Sequence, residues 1–489
     1  YLTSYKIRSL HVFWHNDTTI IIRDETPERK GMGAKQRIYT AGVLYYTVLE
    51  IRTDFRKGRQ EDVMERNDPR YQAYVEILKE ELIPAMGCTE PIALAYAAAK
   101  AREVLGVLPD SVQLQVSGSI IKNVKSVIVP NTGHLKGMEA AVAAGIIAGS
   151  AEKELEVISE VSEEKKSAIR DYLQTVPITI EHTEQGHVFD IVVTERCGQD
   201  YARVRIADYH TNICRIEKNG TVLYEVPLLD ETVQEDARAD RSLLNMQDIW
   251  DFAETADLRD VADLLERQIR YNNAIAEEGL LGDYGANIGR VLLTTYGNDV
   301  SNRAKAKAAA GSDARMNGCE LPVIINSGSG NQGITCSVPL IEYAKELHSG
   351  KEKLYRALII SNLVAIHEKT GIGTLSAYCG AVSAGAGAGA GIVYLCGDGY
   401  QAAIHTVVNA LAIVSGIVCD GAKASCAAKI ASSVDAALLG YNMYKCNQEF
   451  KGGDGIVMKD IETTIKGIGR LGKDGMRQTN EEIIRLMMS

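Results

Sequence analysis

Two cysteines lie seven residues apart in the stretch SGIVCDGAKASC, at Cys419 and Cys426, among small residues and one Asp-Lys pair. If the whole stretch were one α-helix, the two thiols would lie roughly 10 Å apart along its axis. That separation is too long for a disulfide and long for two ligands of one metal centre. Gly421 offers a break, and a loop at Cys419 followed by a helix with Cys426 would let the sulfurs converge. The spacing alone leaves core thiols, a disulfide and metal ligands as alternatives.

A third thiol, Cys379 in TLSAYCGAVSAG, stands at the start of another helix rich in small residues. Three cysteines near helix starts or breaks can hold three irons of a 4Fe–4S cluster, whose fourth iron would be open to a substrate as a Lewis acid. The spacing is not one of the dense ferredoxin patterns, and buried free cysteine is common among small residues. A structural role for the three thiols therefore competes with the cluster on composition alone.

Cys88 stands in PAMGCTEPIALAYAAAK, directly before a predicted helix. Thr89 is the predicted N-cap, and Pro91 is a favourable first-turn residue. A helix N-terminus favours the thiolate over the thiol, which makes Cys88 a candidate base, nucleophile or ligand. The alternative is a structural thiol in a turn.

A loop of glycine, serine and amide residues, NSGSGNQG, precedes a predicted apolar helix. Such a loop exposes consecutive N–H groups that bind a carboxylate or phosphate, although a tight structural turn is the alternative. Its candidate substrate-binding residues are Ser327, Gly328, Ser329, Gly330, Asn331 and Gln332. The loop is neither a P-loop nor a dinucleotide fingerprint, because it lacks Gly-Lys-Ser/Thr and a flanking βαβ unit. Arg315, in the preceding SDARM, is either a partner for a substrate carboxylate or a solvated helix residue.

The histidines show no metal-ligand spacing, but the segment YHTNI places two polar residues together. By strand alternation, His210 and Asn212 share one face and are candidates to line a substrate pocket. A solvent-facing position is the alternative for both. His367 precedes Cys379 by twelve residues, which makes it a candidate neighbour of that thiol.

The composition is that of an ordinary globular protein, with 46% hydrophobic and 24% charged residues in 489. A net charge of −11 argues against a general nucleic-acid or anionic-membrane surface. The apolar stretch 402–419 carries His405 and Asn409, so a buried helix is favoured over a membrane span. Residues 1–19 lack the apolar core of a signal peptide, and we expect a cytoplasmic protein whose ten cysteines are mostly reduced.

Residues 1–63 show no sustained periodicity, whereas a helix–turn–helix pattern begins at Met64. The preceding letters, RQEDV, are what a purine-rich ribosome-binding sequence would encode if translated. Residues 1–63 are therefore predicted to be an atypical N-terminal extension. One interpretation is translated upstream sequence, and the alternative is a genuine but divergent extension. We expect them to contribute little to the core of the fold.

The predicted fold class is α+β, with two parts after the extension. Residues 64–244 mix helices with antiparallel strands: SVQLQVSGSIIKNVKSVIVP alternates like paired strands, and KNG predicts a hairpin turn within a meander. Residues 245–489 are predicted to be mostly helical and rich in small residues. Within them, SAGAGAGAGIVYL is predicted to be a tightly packed buried helix, although repeated glycine costs helix stability.

Taken in order, the motifs GCTEPIALA, HTNI, SDARM, NSGSGNQGI, LSAYC and CDGAKASCAAK resemble the L-cysteine desulfidase family. That family is related to the iron–sulfur L-serine dehydratase alpha subunit. The resemblance runs from about Met64 to the C-terminus and does not include residues 1–63. It implies a helical iron–sulfur domain of the serine dehydratase alpha type and a lyase without pyridoxal phosphate.

The resemblance also implies roles for four cysteines. Cys379, Cys419 and Cys426 match the blocks that ligate the 4Fe–4S cluster, and Cys88 matches the cysteine proposed as the base. The interval between Cys419 and Cys426 is shorter than in typical serine dehydratases, which leaves cysteine and serine open as substrates.

The implied activity is elimination of sulfide from L-cysteine, giving pyruvate, ammonia and hydrogen sulfide. Three alternatives remain: an L-serine dehydratase, a non-catalytic iron–sulfur sensor, and a plain helical binding protein. The expected partner is a small amino-acid substrate, without nucleic acid or membrane. A homodimer is left open as the assembly.

Overall fold

A computed structural model describes residues 64–183, 187–226, 239–373 and 375–488, together with four strands in the first 63 residues. The chain divides into two compact units, Tyr1–Val63 and Met64–Ser489. The strands of the first unit are β1 (Ser4–Ile7), β2 (Leu10–His15), β3 (Thr19–Asp24) and β4 (Arg37–Thr40). They pair antiparallel in chain order and form one sheet. The sequence did not predict this sheet, because residues 1–63 show no sustained periodicity. Two expectations stay predictions. One is that residues 1–63 contribute little to the core, and the other is that a domain boundary follows residue 244.

The second unit contains a mixed six-stranded sheet with the order β11-β10-β9-β8-β6-β7. Its strands are β6 (Ser111–Ser117), β7 (Ile178–Thr183), β8 (Asp190–Cys197), β9 (Asp200–Ala207), β10 (Ile213–Lys218) and β11 (Thr221–Glu225). A separate antiparallel pair joins β5 (Pro84–Met86) to β12 (Pro322–Ile324). Strand β6 alternates as predicted and buries Val112, Leu114 and Val116.

The predicted meander is confirmed for β8 to β11, which pair antiparallel in sequence order. Asn219 and Gly220 both have positive φ, +50° and +82°, as a tight two-residue hairpin turn requires. The prediction of a second strand after β6 is wrong, because Gly118–Val124 is a helix. β6 instead has β7 and β8 as neighbours, so no edge is left for a hairpin partner.

Helices make up most of the remaining second unit. In chain order they are α1 (Pro69–Glu81), α2 (Thr89–Leu105), α3 (Gly118–Val124), α4 (Gly137–Ala148), α5 (Glu163–Thr175), α6 (Met246–Thr255), α7 (Ala262–Leu281), α8 (Ile288–Tyr296), α9 (Val300–Met316), α10 (Gly330–Glu346), α11 (Lys351–Ile372), α12 (Gly380–Cys396), α13 (Tyr400–Val414), α14 (Ser425–Lys445), α15 (Ile461–Arg470) and α16 (Arg477–Met488). Helix α2 packs on β8 and β9, and α4 packs on α2. The α+β class with a helical C-terminal part is confirmed.

Helix α12, which contains the alternating Ala-Gly run, is the buried centre of the helical part. It packs against α10, α11, α13 and α14. A Cβ on Gly387 would lie under 3.0 Å from the carbonyl oxygen of Ser361 on α11, and one on Gly385 would meet Ser433 on α14. The predicted buried helix is therefore confirmed, and its glycines allow neighbouring backbones to approach closely.

The apolar stretch that begins at Ala402 forms α13, whose Ala402, Val407 and Leu411 are buried against the bundle. Among the residues with described positions, none of the helices has the length and apolar character needed to cross a membrane.

We expect Gly387→Ala to lower the free energy of unfolding by about 1–3 kcal/mol, because the added methyl group displaces the α11 backbone. Gly467→Ala is the matched control, since a Cβ on that glycine of α15 meets atoms only at ordinary distances of 3.6 Å and beyond. The control should gain up to about 1 kcal/mol from helix propensity. Urea unfolding of both variants measures the difference, and equal midpoints would contradict the close packing of α12.

Candidate functional site

A small cavity of about 120 Å³ brings together most of the predicted site residues. Its walls include the predicted residues Cys88, His210, Arg315, Ser327, Gly328, Ser329, Asn331, Gln332, Cys379, Cys419 and Cys426. Gly330 and Asn212 do not line it. These residues come from segments far apart in the chain, and the cavity has room for a small molecule rather than a nucleotide.

Four helices begin at this cavity. Cys88 is the N-cap of α2, Ser329 of α10 and Cys379 of α12, while Cys426 lies in the first turn of α14. The predicted helix start after Cys88 is confirmed, but the cap is Cys88 itself and not Thr89. Each N-terminus directs unpaired N–H groups and a partial positive charge towards the cavity, which favours bound anions.

Backbone hydrogen bonds hold Cys379 beside Cys419. The N–H of Cys379 donates to the carbonyl oxygen of Ile417 at 3.1 Å, and the N–H of Cys419 donates to that of Ala377 at 2.6 Å. This short antiparallel pairing brings the start of α12 against the loop before α14. The two cysteines, 40 positions apart in the sequence, thus share one wall of the cavity.

A glycine break separates Cys419 from Cys426, as predicted. Cys419 lies in the loop, and Gly421 has φ +92°, a conformation that favours glycine. A Cβ on Gly421 would lie under 3.0 Å from the carbonyl oxygen of Lys122, so the loop packs directly on α3. The break lets Cys426 turn back to the cavity from the first turn of α14.

Three lysines surround the three cysteines. Lys122 is buried and donates through Nζ to Asn480 Oδ1 at 2.7 Å, and the neighbouring thiols Cys379 and Cys419 interact with it electrostatically. Burial lowers the pKa of Lys122, and it lowers the pKa of Lys369 to about 8. Lys429 donates to Asp420 beside Cys419.

This environment fits a bound iron–sulfur cluster. Burial raises the pKa of Cys379 to about 12 and also raises that of Cys426, and the charge of neighbouring thiolates adds to both. Binding to iron deprotonates such thiols, and nearby lysines and helix N-termini offset the negative charge. In the described residues, no three His, Cys, Asp or Glu side chains are grouped to hold one metal ion. Thiols spread around a cavity suit a cluster, in which each iron takes its own cysteine.

Arg315 is an unsatisfied cation in the cavity wall. It is only 2% exposed, and Nη1 donates to Asn331 Oδ1 at 3.1 Å, whereas Nε and Nη2 are buried and have no hydrogen-bond partner among the residues that the structure describes. A Cβ on Gly330 would lie under 3.0 Å from Nε, so glycine lets the guanidinium reach the start of α10. Two free donors beside a helix N-terminus fit a carboxylate.

The predicted anion-binding loop leads into α10, as expected from the sequence. Ser327 and Gly328 have φ values of +49° and +76°, which form a tight turn before the helix. The Thr89 hydroxyl donates to the carbonyl oxygen of Gly328 at 3.0 Å, which ties this loop to the start of α2. Asn326 donates to the buried Asn362 at 2.9 Å and anchors the turn to α11.

Glu90 is a site residue that the sequence reasoning missed. It is buried in the cavity wall, and its Oε2 accepts from Cys88 Sγ and from Thr89 Oγ1, each at 3.1 Å. Its Oε1 accepts from Asn123 Nδ2 at 3.0 Å and lies 3.8 Å from His210 Nε2. The sequence does show an acidic residue two positions after Cys88. Such a residue is common in the first turn of a helix, so it did not indicate a functional role.

The protonation of Cys88 differs from the sequence-based expectation. Burial raises the pKa of its thiol well above the ordinary value, and the charge of Glu90 raises it further, while Arg315 lowers it. Although burial alone would raise the pKa of Glu90, interactions with His210 and Cys88 hold it below the ordinary value. The raised pKa of Cys88 is opposite to the direction expected from the helix N-terminus alone, because burial and Glu90 disfavour the charged thiolate.

The prediction that His210 and Asn212 share one face of a strand is wrong. Both residues lie in the turn between β9 and β10. Asp208, with φ +70°, starts this turn and directs His210 into the cavity. The Asn212 amide instead donates to the carbonyl oxygen of Ala207 at 3.0 Å. His367 pairs with Glu462 at 2.8 Å and does not line the cavity.

Comparison with known proteins places this architecture in a family. The family model for "Serine dehydratase alpha chain" matches residues 152–485. A UPF0597 protein of Desulfitobacterium hafniense strain Y51 is 61% identical over 426 residues, which cover 87% of this chain and 99% of the relative. UPF0597 proteins of Lachnoclostridium phytofermentans and Treponema denticola are 52% and 46% identical, and cover 86% and 87% of this chain and 100% of each relative. The chain therefore belongs to the serine dehydratase alpha chain family.

Proposed function

We propose that the protein is an iron–sulfur-dependent lyase that eliminates sulfide from L-cysteine and gives pyruvate, ammonia and hydrogen sulfide. The observation that carries the proposal is that Cys379, Cys419 and Cys426 line the same small cavity as Arg315 and Cys88. Three potential iron ligands, an anion partner and an acid–base group are the parts that such an elimination needs. Membership of the serine dehydratase alpha chain family supports a lyase.

In the proposed complex, Arg315 binds the substrate carboxylate. Its two unpartnered N–H groups gain a bidentate acceptor, and the N-terminus of α10 adds further donors. The side chains of Ser327 and Gln332 stand in the same wall, and the buried Gln332 Oε1 has no hydrogen-bond partner in the structure. That oxygen suits the ammonium group of an amino acid.

Cys379, Cys419 and Cys426 would hold the cluster from the side of the cavity that faces the three lysines. When bound, a cluster with three cysteine ligands supplies an open iron that can accept the leaving sulfur or oxygen and stabilise its charge.

Cys88 is the proposed base. Its thiolate takes the α-proton, so that an S–H bond forms as the Cα–H bond breaks, and the Cβ–S bond of the substrate breaks with it. The product, aminoacrylate, hydrolyses to pyruvate and ammonia. Burial and the charge of Glu90 disfavour the free thiolate even with Arg315 nearby, so Cys88 acts as a base only after its own proton has left.

The wall next to Cys88 favours L-cysteine over L-serine. Val127, Met316 and Ala422 pack with Cys88 and Cys426 into an apolar cluster. A thiol tolerates an apolar neighbourhood, whereas a hydroxyl loses hydrogen bonds there. L-Serine is the second candidate substrate, since the matched family takes its name from serine dehydratase.

The substrate is tested with protein purified without oxygen, with iron and sulfide quantified and pyruvate measured against both amino acids. We expect kcat/KM for L-cysteine to exceed that for L-serine, with one sulfide released per pyruvate. The reverse order would make the protein a serine dehydratase. A bound cluster without turnover would favour an iron–sulfur sensor, and absence of iron would contradict all three. The assembly as a homodimer stays a prediction.

We expect Cys379→Ser to lose iron and activity together, because a hydroxyl is a poor replacement for an iron-bound thiolate. Cys446→Ser is the matched control, since this cysteine is exposed at the end of α14 and does not line the cavity. Iron content per chain and the visible absorption of the cluster measure the difference. Full iron content in Cys379→Ser would contradict its assignment as a ligand.

We expect Cys88→Ser to keep iron and lose turnover by ~10²–10⁴-fold, as is typical when a general base is removed. The three proposed ligands remain in this variant, and an alcohol is a far weaker base than a thiolate. Iron content and kcat are measured on the same sample. If iron is lost as well, Cys88 is a fourth ligand, and if both are retained, it is only a structural thiol.

A further inference from the structure

A second cavity, of about 480 Å³, adjoins the small one. His210, Ser327, Gly328 and Lys369 line both cavities, so they form the wall between them. Of these four residues, His210 and Lys369 are able to carry a proton. Lys369 donates to the carbonyl oxygen of Gly373 at 2.6 Å and belongs to the side of the cavity near Cys379 and Cys419. His210 is the titratable group of the wall that lies next to Glu90.

A row of polar atoms leads from Cys88 through Glu90 towards His210. Cys88 Sγ donates to Glu90 Oε2 at 3.1 Å, and the other oxygen of the same carboxylate lies 3.8 Å from His210 Nε2. That nitrogen is buried and has no hydrogen-bond partner among the described residues, so its 3.8 Å distance to Glu90 must shorten for a proton to pass. The His210 side chain is 7% exposed, and its ring packs edge-on against Phe189 at 4.7 Å.

Other contacts hold this row of atoms in place. Asn123 Nδ2 donates to Glu90 Oε1 and fixes the carboxylate, while Thr89 Oγ1 shares its single hydrogen between Glu90 Oε2 and the carbonyl oxygen of Gly328. The glycine at position 328 leaves room for the imidazole, since a Cβ there would lie 3.1 Å from His210 Cε1. The site therefore contains a fixed carboxylate between a thiol and an imidazole, and none of its proposed cluster ligands takes part.

We propose that Glu90 and His210 carry the proton between Cys88 and the larger cavity. The inference rests on the proposed function, in which Cys88 receives the α-proton in every turnover. The Cys88 S–H bond then breaks as an O–H bond forms on Glu90, and that proton passes from Glu90 to His210 Nε2. Water in the larger cavity takes it from the imidazolium, which restores the Glu90 carboxylate and the Cys88 thiolate.

The proposal is tested with Glu90→Gln and His210→Gln in the full chain loaded with iron and sulfide. We expect both variants to keep iron and KM, with kcat reduced by ~10²-fold or more for Glu90→Gln and by at least ~10-fold for His210→Gln. Added imidazole, which fits the larger cavity, should restore turnover to His210→Gln. Glu139→Gln, an exposed first-turn glutamate of α4, and His405→Gln, a histidine paired with Glu449, are the matched controls.

Wild-type kcat in either site variant, or failure of imidazole to restore His210→Gln, would overturn the proposal. Loss of iron together with rate would also overturn it, because that result indicates a packing role. A second measurement is the rate at which iodoacetamide alkylates Cys88 in protein without iron, followed by mass spectrometry. Glu90→Gln should raise this rate by about tenfold while lowering kcat, since loss of a neighbouring negative charge favours the thiolate.

The alkylation rate also separates this proposal from the proposed function. A wild-type protein that is inactive with both amino acids contradicts the proposed function. In that case an unchanged alkylation rate in Glu90→Gln overturns the coupling of Glu90 to Cys88, and the expected increase supports it.

Discussion

The convergence of four helix N-termini on one small buried cavity is the constraint on which the rest of the structure depends. Each N-terminus contributes about half a positive charge and several unpaired N–H groups. Lys122, Arg315 and Lys369 add full charges in or beside the same wall. Such a site is unfavourable without anions, and it suits thiolates and a carboxylate. This positive field offsets part of the cost of ionising the Cys88 and Cys379 thiols, whose pKa is raised by burial.

So many helices can meet at one point only if their backbones approach each other closely. Glycine supplies it at the contacts that form the site: Gly330 admits the Arg315 guanidinium, Gly421 admits the carbonyl group of Lys122, and Gly380 lies against Gln332. Glycine likewise allows α12 to pack at the centre of the bundle. An aromatic content of only 6% beside 44 glycines follows from this architecture, because large side chains would hold the helices apart.

Buried charge in the site is only partly balanced by neighbouring groups. Glu90 has hydrogen bonds from Cys88, Thr89 and Asn123, whereas Arg315 retains two donors without partners. An incompletely satisfied buried cation costs stability, and a bound carboxylate would remove that cost. Arg315, Gln332 and His210 each have buried polar atoms without a hydrogen-bond partner among the described residues.

The sequence by itself determined the local features: the helix that starts at Cys88, the turn before α10, and the glycine break between Cys419 and Cys426. These depend on capping, turn and glycine preferences, which act within a few residues. The family motifs added the chemistry of the cysteines only as what a resemblance implies. Only the tertiary structure decided that Glu90 meets Asn123 and His210, that the segment after β6 is a helix, and that Cys88 is buried. Desolvation, charge pairing and strand neighbours arise between residues far apart in the chain, so no local pattern records them.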